Sequence, residues 1–309
     1  MNDSIAIGVD VGGSHISSAA VNLKELKIIP NTIHCVKLDN KASKEEIFKK
    51  WSEAINKTIE SAGGIGNVNI GVAIPGPFNY KEGIAMFSGD NDKYDSLYNV
   101  SVSKELVKYI NATDAAMRFL NDATSFGVGV SAIGKARGFN KIIAVTLGTG
   151  FGSAFIKNGV PIVVSDEVPV DGCLWDKPYK EGIGDDYFST RWCIDRYQKI
   201  TSKRVNGVKE IAEANDEHSK QVFTEFGSNM AEFMIPFIKK FQPGLIVLGG
   251  NISNASKFFL PVLEKRIKEA GLKTGFEISQ LMEDAAIIGS AKLFDSNFWN
   301  SVKNDLPNL

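Results

Sequence analysis

The sequence predicts an α/β protein of two domains, each offering one glycine turn to a cleft between them. Two stretches carry the prediction. Residues 5–23 read IAIGVDVGGSHISSAAVNL, with small and apolar residues alternating on both sides of Gly12-Gly13. Residues 142–156 read IIAVTLGTGFGSAFI, with the same alternation about Gly148, Gly150 and Gly152. Alternation on both flanks of a glycine cluster means strand, turn, strand. The two units lie roughly one domain length apart, so the architecture reads as duplicated. A chain of 309 residues is long enough for two domains of ordinary size.

Composition narrows the class. Hydrophobic residues at 43% and charged residues at 23% are the proportions of a soluble globular protein. With 35 basic and 36 acidic side chains the net charge is -1, which leaves no electrostatic footprint for nucleic acid or an anionic membrane. Cys35, Cys173 and Cys193 are too scattered for a disulfide framework or a paired-cysteine zinc site. No basic stretch leads into an apolar run at the N-terminus, and no apolar stretch has the length of a membrane span. A reducing, cytoplasmic setting is expected.

The first turn points to phosphate. Backbone N–H groups freed at such a turn form an anion-binding concavity, and glycine there accepts positive φ and close ligand approach. Asp10 stands two residues before the glycine pair. Its carboxylate would repel a phosphate unless a cation lay between them, and Mg²⁺ held through water meets that need. The string GTGFG is not read as a dinucleotide fingerprint. That fingerprint requires a helix directly after its glycines, whereas residues 153–159 are strand-like and close in an Asn-Gly turn.

The other elements follow in order. Residues 44–62 form an amphipathic helix, and 69–74 a strand running into the stiff turn Pro75-Gly76-Pro77. Residues 113–120 read as a strand entering the second domain. Asp122 then opens a helix over 123–136 that closes at Gly138. Asn and Asp are good N-cap residues, which is one reading of Asn121-Asp122. The other makes Asp122 a general base that takes the proton of a hydroxyl attacking phosphorus, with Asn121 holding a neighbouring hydroxyl. Phosphoryl transfer asks the protein mainly for alignment and charge stabilisation. The place of this pair between the two glycine turns favours the second reading.

Residues 160–188 form a long irregular loop, of the kind that is usually functional or mobile. Most of its acidic residues, Asp166, Glu167, Asp171, Asp176, Asp185 and Asp186, are expected to be solvated. Residues 219–241 form a long helix whose stripe of Val222, Phe226, Met230, Phe233, Met234 and Phe237 is core or subunit interface. Residues 245–251 are a buried parallel strand running into glycines, which puts a binding crevice at its carboxyl end. A helix over 257–270, a short strand near Glu277 and a helix over 284–294 complete the chain. His15, His34 and His218 are isolated and receive no metal.

Five motifs in this order resemble the ROK family of bacterial sugar kinases and sugar-responsive repressors, within the actin-like ATPase superfamily. Gly8-Val9-Asp10-Val11-Gly12-Gly13-Ser14 resembles the first phosphate motif, with Ser14 where the family usually has Thr. Ile74-Pro75-Gly76-Pro77 resembles the Pro-Gly-Pro loop, and Asn121-Asp122-Ala123 the catalytic Asn-Asp-Ala. Leu147-Gly148-Thr149-Gly150-Phe151-Gly152 resembles the second phosphate motif, and Gly249-Gly250-Asn251 the adenosine motif.

The resemblance implies a two-domain actin-like ATPase (ribonuclease H-like) fold with an interdomain cleft. Its small domain would span 1–118, completed by the C-terminal helix at about 290–309, and its large domain 119–289. It implies ATP and Mg²⁺, a small-molecule sugar, no nucleic acid or membrane partner, and a homodimer. ATP would lie on Asp10, Gly12, Gly13, Ser14, Gly148, Thr149, Gly150, Gly249, Gly250 and Asn251, with Mg²⁺ at Asp10 through water.

Two family patterns are missing: a Glu-x-Gly-His that contacts the sugar, and a Cys-x-Cys-Gly-x-x-Gly-Cys zinc motif. Counting without gaps from Gly148, the glutamate's place falls on Asp171 and the histidine's on Leu174. Asp185-Asp186-Tyr187-Phe188-Ser189 resembles the family's Glu-x-Tyr-x-Ser. Sugar contacts are therefore expected from Gly76, Asn121, Asp171 and Asp185, and no zinc is expected. The first hairpin starts at Ile5, leaving no room for the helix-turn-helix domain of the repressor branch. The implied activity is ATP-dependent phosphorylation of a hexose, of glucokinase or hexokinase type at the 6-hydroxyl, with Asp122 as base. The alternatives are an N-acetylhexosamine or fructose kinase, an acetate-type kinase, and a catalytically idle sugar-binding regulator, which the missing histidine motivates.

Overall fold

The computed structural model describes residues 4–64, 66–88 and 93–307. The chain forms two compact units. One takes in Met1–Gly134, Gly159–Pro161 and Glu283–Leu309, and the other Lys135–Asn158 and Ile162–Met282. The first unit thus keeps the helix after Asn121, beyond the break at 118 read from the sequence.

In the first unit, Ile5–Val11 and His15–Asn22 form an antiparallel hairpin. Asn67–Ile74 pairs parallel to Ile5–Val11, and Asp114–Asn121 parallel to Asn67–Ile74. The last of these was expected to enter the second domain. Instead it is bonded along its whole length to a strand of this unit, from Asn67 opposite Asp114 to Ile74 opposite Asn121. Parallel neighbours need a crossover, and helix Lys44–Ser61 supplies the first. It starts at Ser43, whose side chain accepts the Glu46 N–H, and buries Ile47, Phe48, Trp51 and Ile55. From it runs a chain of ring contacts, Phe48–Trp51–Tyr94–Phe87–Phe78–Phe119, with centroids 5.1–6.4 Å apart. Helix Asp122–Ile133 stops short of the expected 136, at Gly134. Helix Met282–Ala291 packs backbone to backbone on its neighbours. A methyl on Gly71 would lie 1.9 Å from the Ser290 carbonyl oxygen, and one on Gly129 1.9 Å from that of Ala285.

The second unit repeats the plan. Lys141–Leu147 and Phe151–Lys157 form the hairpin, Leu245–Gly249 runs parallel to Lys141–Leu147, and Gly275–Ile278 runs parallel to Leu245–Gly249. The order of hairpin and parallel strands matches the first unit, which is the duplication the two glycine turns predict. Helix Glu217–Phe241 buries Val222, Phe226, Met230, Phe233 and Met234 in the core of this unit, with Phe237 partly buried against it, so the apolar stripe is core. Among the described residues no helix is long and apolar enough to cross a membrane.

The stretch read as an irregular loop is a series of short pieces: a 3₁₀ turn at Val170–Gly172, the ladder Pro178–Tyr179 with Gly182–Ile183, and the one-turn helix Gly184–Tyr187. Rings fasten it. Tyr179 contacts Tyr187, Phe188 and Phe233, and Phe188 contacts Phe151, Phe226 and Phe233, at 4.9–5.9 Å between centroids. Cys173 and Cys193 are free and buried, and among the described residues no group of three or more His, Cys, Asp or Glu is placed to hold a metal ion. Phe188 is fully buried. Phe188→Ala is expected to cost about 3–5 kcal/mol, while a zinc-selective chelator leaves the melting temperature of the wild type unchanged. Thermal unfolding checks both.

Candidate active site

Three parallel strands of the first unit end at one edge of the sheet. Asp10 is level with Ala73, Ala73 with Leu120, and Ile74 with Asn121. Asp10, the loop through Gly76 and the pair Asn121-Asp122 therefore leave the sheet together at the carboxyl ends, where open α/β sheets bind ligands. The peptide bond between Gly76 and Pro77 is cis.

The structure divides the roles of Asn121 and Asp122. Asn121 is the N-cap: its Oδ1 accepts the Thr124 N–H at 3.1 Å, and its Nδ2 donates to the Tyr80 hydroxyl at 3.2 Å. Tyr80 in turn donates to the Ile74 carbonyl at 3.1 Å. The amide expected to hold a substrate hydroxyl is thus largely committed to the fold. Asp122 is the first helical residue, and its Oδ1 accepts the Ala123 N–H at 2.8 Å. Burial raises its pKa, opposed by that N–H and then by the Lys93 ammonium. The residue is partly buried, and the helix cap is Asn121 rather than Asp122.

Asp10 is pushed up to about 8, by burial first and then by the charges of Asp122 and Glu283. Mutually repelling carboxylates are a donor set that a hard divalent cation relieves. Mg²⁺ takes one or two carboxylates and keeps several waters, so Asp10 is the residue here that could hold it, through water. An acid whose pKa rises on folding binds its proton more tightly folded than unfolded. Its contribution to stability is therefore lost as pH climbs from about 4 to about 8. The ligand-free protein is expected to lose melting temperature over that range, and Asp10→Asn to lose less. Mg-ATP should stabilise the wild type more at pH 8 than at pH 5, because the cation displaces the proton. Melting curves of both proteins across pH check this.

The first glycine turn is clamped from below. The Tyr94 hydroxyl donates to the Gly12 carbonyl at 2.5 Å, and Asn40 Nδ2 to the Gly13 carbonyl at 2.7 Å. Gly12 and Gly13 do not take positive φ, and neither do Gly148 and Gly150. The expectation about their backbone is corrected: here glycine leaves the turn surface bare instead of permitting a left-handed residue. Ser14 is exposed. His15, read as isolated, is not. Its Nε2 lies 2.7 Å from Glu283 Oε1, its Nδ1 lies 3.3 Å from Ser14 Oγ, and Ser17 Oγ donates to Glu283 Oε2 at 2.5 Å. Glu283, Tyr94 and Asn40 were absent from the sequence reading. Only the acidic pair in the first turn of helix Met282–Ala291, Glu283-Asp284, hinted at one of them.

In the second unit the other two motifs share an edge. Gly249 pairs with Thr146, and Gly250 takes φ +82, where a methyl would lie 2.4 Å from the Leu147 carbonyl oxygen. Gly148, exposed Thr149 and Gly150 follow directly, while Asn251 is exposed beyond Gly250. Thr190 holds the turn from one side, donating its N–H and its hydroxyl to the Gly148 carbonyl, each at 2.9 Å. Asp185 holds it from the other: Oδ1 accepts the Phe151 N–H at 2.7 Å, and Oδ2 faces Arg191 at 3.4 Å. Asp185 is thus engaged with the glycine turn. Asp171 sits in left-handed backbone at φ 59, and Leu174, in the histidine's counted place, is fully buried in the apolar core.

Duplicated hairpin-and-parallel-strand units, each carrying a glycine turn at the carboxyl edge of its sheet, define the actin-like ATPase fold. Within it the family is specific: the ROK family profile matches residues 6–164 and 185–297, and the chain belongs to the ROK family. A glucokinase of Thermotoga maritima is 25% identical over 93% of this chain and 96% of its own. An N-acetyl-D-glucosamine kinase of Haemophilus influenzae is 26% identical over 80% of this chain and 84% of its own. A ROK hexokinase from Thermus thermophilus has a TM-score of 0.73 at 18% identity, over 97% and 99% of the two chains. A ROK glucokinase from Streptomyces griseus, in complex with glucose and AMPPNP, has a TM-score of 0.71 at 19% identity, over 94% and 98%. The structural likenesses speak to the fold.

Proposed function

We propose that the protein transfers the γ-phosphoryl group of ATP to a hexose hydroxyl, the 6-hydroxyl of glucose first, with Asp122 as general base. The observation that carries this reading is the commitment of Asn121 to the helix cap, while the adjacent carboxylate of Asp122, bonded through Oδ1 to the Ala123 N–H, stands at the carboxyl edge without serving as the cap. The sugar hydroxyl gives its proton to Asp122 as its oxygen attacks phosphorus. Gly12, Gly13 and Ser14 in one unit and Gly148, Thr149 and Gly150 in the other are assigned to the phosphates, and Gly249, Gly250 and Asn251 to the adenosine. Bound Mg²⁺ would neutralise phosphate charge, with Asp10 holding it through water. Gly76 and Asp171 are assigned to the sugar, and Asn121 only through whatever capacity its cap and its bond to Tyr80 leave. Asp185 keeps that assignment only through whatever capacity its bond to Phe151 leaves.

Glucose leads because the Thermotoga relative, matched over nearly its whole length, is a glucokinase. N-acetylglucosamine is the second reading, favoured by the Haemophilus relative. The test is ADP release with Mg-ATP against glucose, mannose, fructose and N-acetylated hexosamines. Strong turnover on one sugar is the expected result. Sugar binding without ADP release from any of them would overturn the kinase and leave a binding regulator.

A further inference from the structure

Lys93 belongs to none of the motifs, yet the first unit places it among the residues just described. A methyl built on Gly13 would lie 3.7 Å from Lys93 Cε, so the end of the side chain lies beside the first glycine turn. The next residue fixes its backbone there. Tyr94 donates its hydroxyl to the Gly12 carbonyl and its N–H to the Asn40 carbonyl at 2.9 Å, and Asn40 donates its amide to Gly13. Tyr94 is fully buried and packs edge-on against Trp51 at 5.4 Å. The charge of Lys93 also reaches Asp122, where it favours the ionised carboxylate. Lys93 is half-buried, and its ammonium makes no ion pair or hydrogen bond with any described residue. A partly desolvated cation with no direct ion pair gains when an anion arrives to meet it.

We propose that Lys93 is a catalytic residue whose ammonium contacts the γ-phosphoryl group during transfer and stabilises the charge it carries between donor and acceptor. The inference rests on the kinase reading above. In the step, the acceptor oxygen bonds to the γ-phosphorus and its proton passes to Asp122. The bond from the γ-phosphorus to the β,γ-bridging oxygen breaks, and that oxygen keeps the electron pair as ADP leaves. Lys93 exchanges no atom. Its contact strengthens as charge spreads over the phosphoryl oxygens, and that kind of contact raises turnover more than ground-state binding.

The test compares Lys93→Met and Lys93→Gln, which keep the stem and remove the charge, with Lys93→Arg, which keeps the charge. Both neutral variants are expected to lower kcat about 10²–10³-fold with melting temperature and sugar affinity unchanged and the KM for ATP moved far less than kcat. Lys93→Arg should recover a large part of the loss. Neutral variants with near wild-type kcat overturn the proposal, as does a rise in the KM for ATP with kcat intact, which would make Lys93 a ground-state phosphate contact. A wild type that releases no ADP with any sugar brings down the kinase reading and this role with it. A wild type that turns over alongside equally active neutral variants overturns Lys93 alone.

Discussion

Asp122→Asn is expected to lower kcat about 10²–10⁴-fold while affinities for sugar and Mg-ATP stay within a few-fold of wild type. The substitution is nearly isosteric. The new Oδ1 can still accept the Ala123 N–H that Asp122 accepts at 2.8 Å, and the cap at Asn121 is untouched, so the helix should hold. What disappears is the proton acceptor. Removing the charge also relieves Asp10, whose raised pKa owes part of its shift to Asp122. Easier ionisation of Asp10 should offset the loss of the neighbouring anion, so that cation affinity changes little. Asn121→Ala is the contrasting variant. It removes the cap, and its main effect should be a loss of about 1 kcal/mol of stability. Single-turnover kinetics and calorimetric affinities separate the two. If Asp122→Asn turns over at near wild-type rate, another group takes the proton.

The parts of this fold legible in the sequence are those written in local periodicity. Both hairpins follow from alternation about glycines, and the Asn-Gly after the second one does adopt left-handed backbone, at φ 53 and 78. The strand into Pro75 and the strand into Gly249 were equally plain. Asn121 against Asp122 was not, because both side chains cap helices well and only the hydrogen bonds reveal which one does so here. The link from His15 to Glu283 joins residues 268 apart, beyond any local pattern. Lys93 belongs to no motif, so no local pattern marks it. The position counted as the family histidine fell on Leu174, but the loop's course carries that residue into the core. Long-range placement, not residue type, decided each of these.

Gly129→Ala and Gly71→Ala are expected to destabilise by about 3 kcal/mol or more, at the upper end of overpacking costs. That corresponds to a fall of about 6–12 °C in melting temperature. Nothing about these glycines stands out in the sequence, where each is one small residue in an apolar run. In the structure, the added methyl would lie 1.9 Å from a backbone carbonyl oxygen of helix Met282–Ala291, from Ala285 and Ser290 respectively. The contact is reciprocal: a methyl on Gly289 of that helix would lie 1.9 Å from the Ser125 carbonyl oxygen. A backbone carbonyl cannot rotate away as a side chain can, so the helix itself must move. Gly64→Ala is the control, since its methyl would meet nothing within 4 Å and should change stability by no more than about 0.5 kcal/mol. The helix also carries function. Ser290 Oγ accepts the Val9 N–H at 3.2 Å, one residue before Asp10, and Glu283 in its first turn holds His15 and Ser17. Displacing the helix should therefore raise the KM for Mg-ATP even below the melting temperature. If both variants melt with the wild type, the helix has room to yield. If they melt early with the KM unchanged, Asp10 is held by its sheet alone.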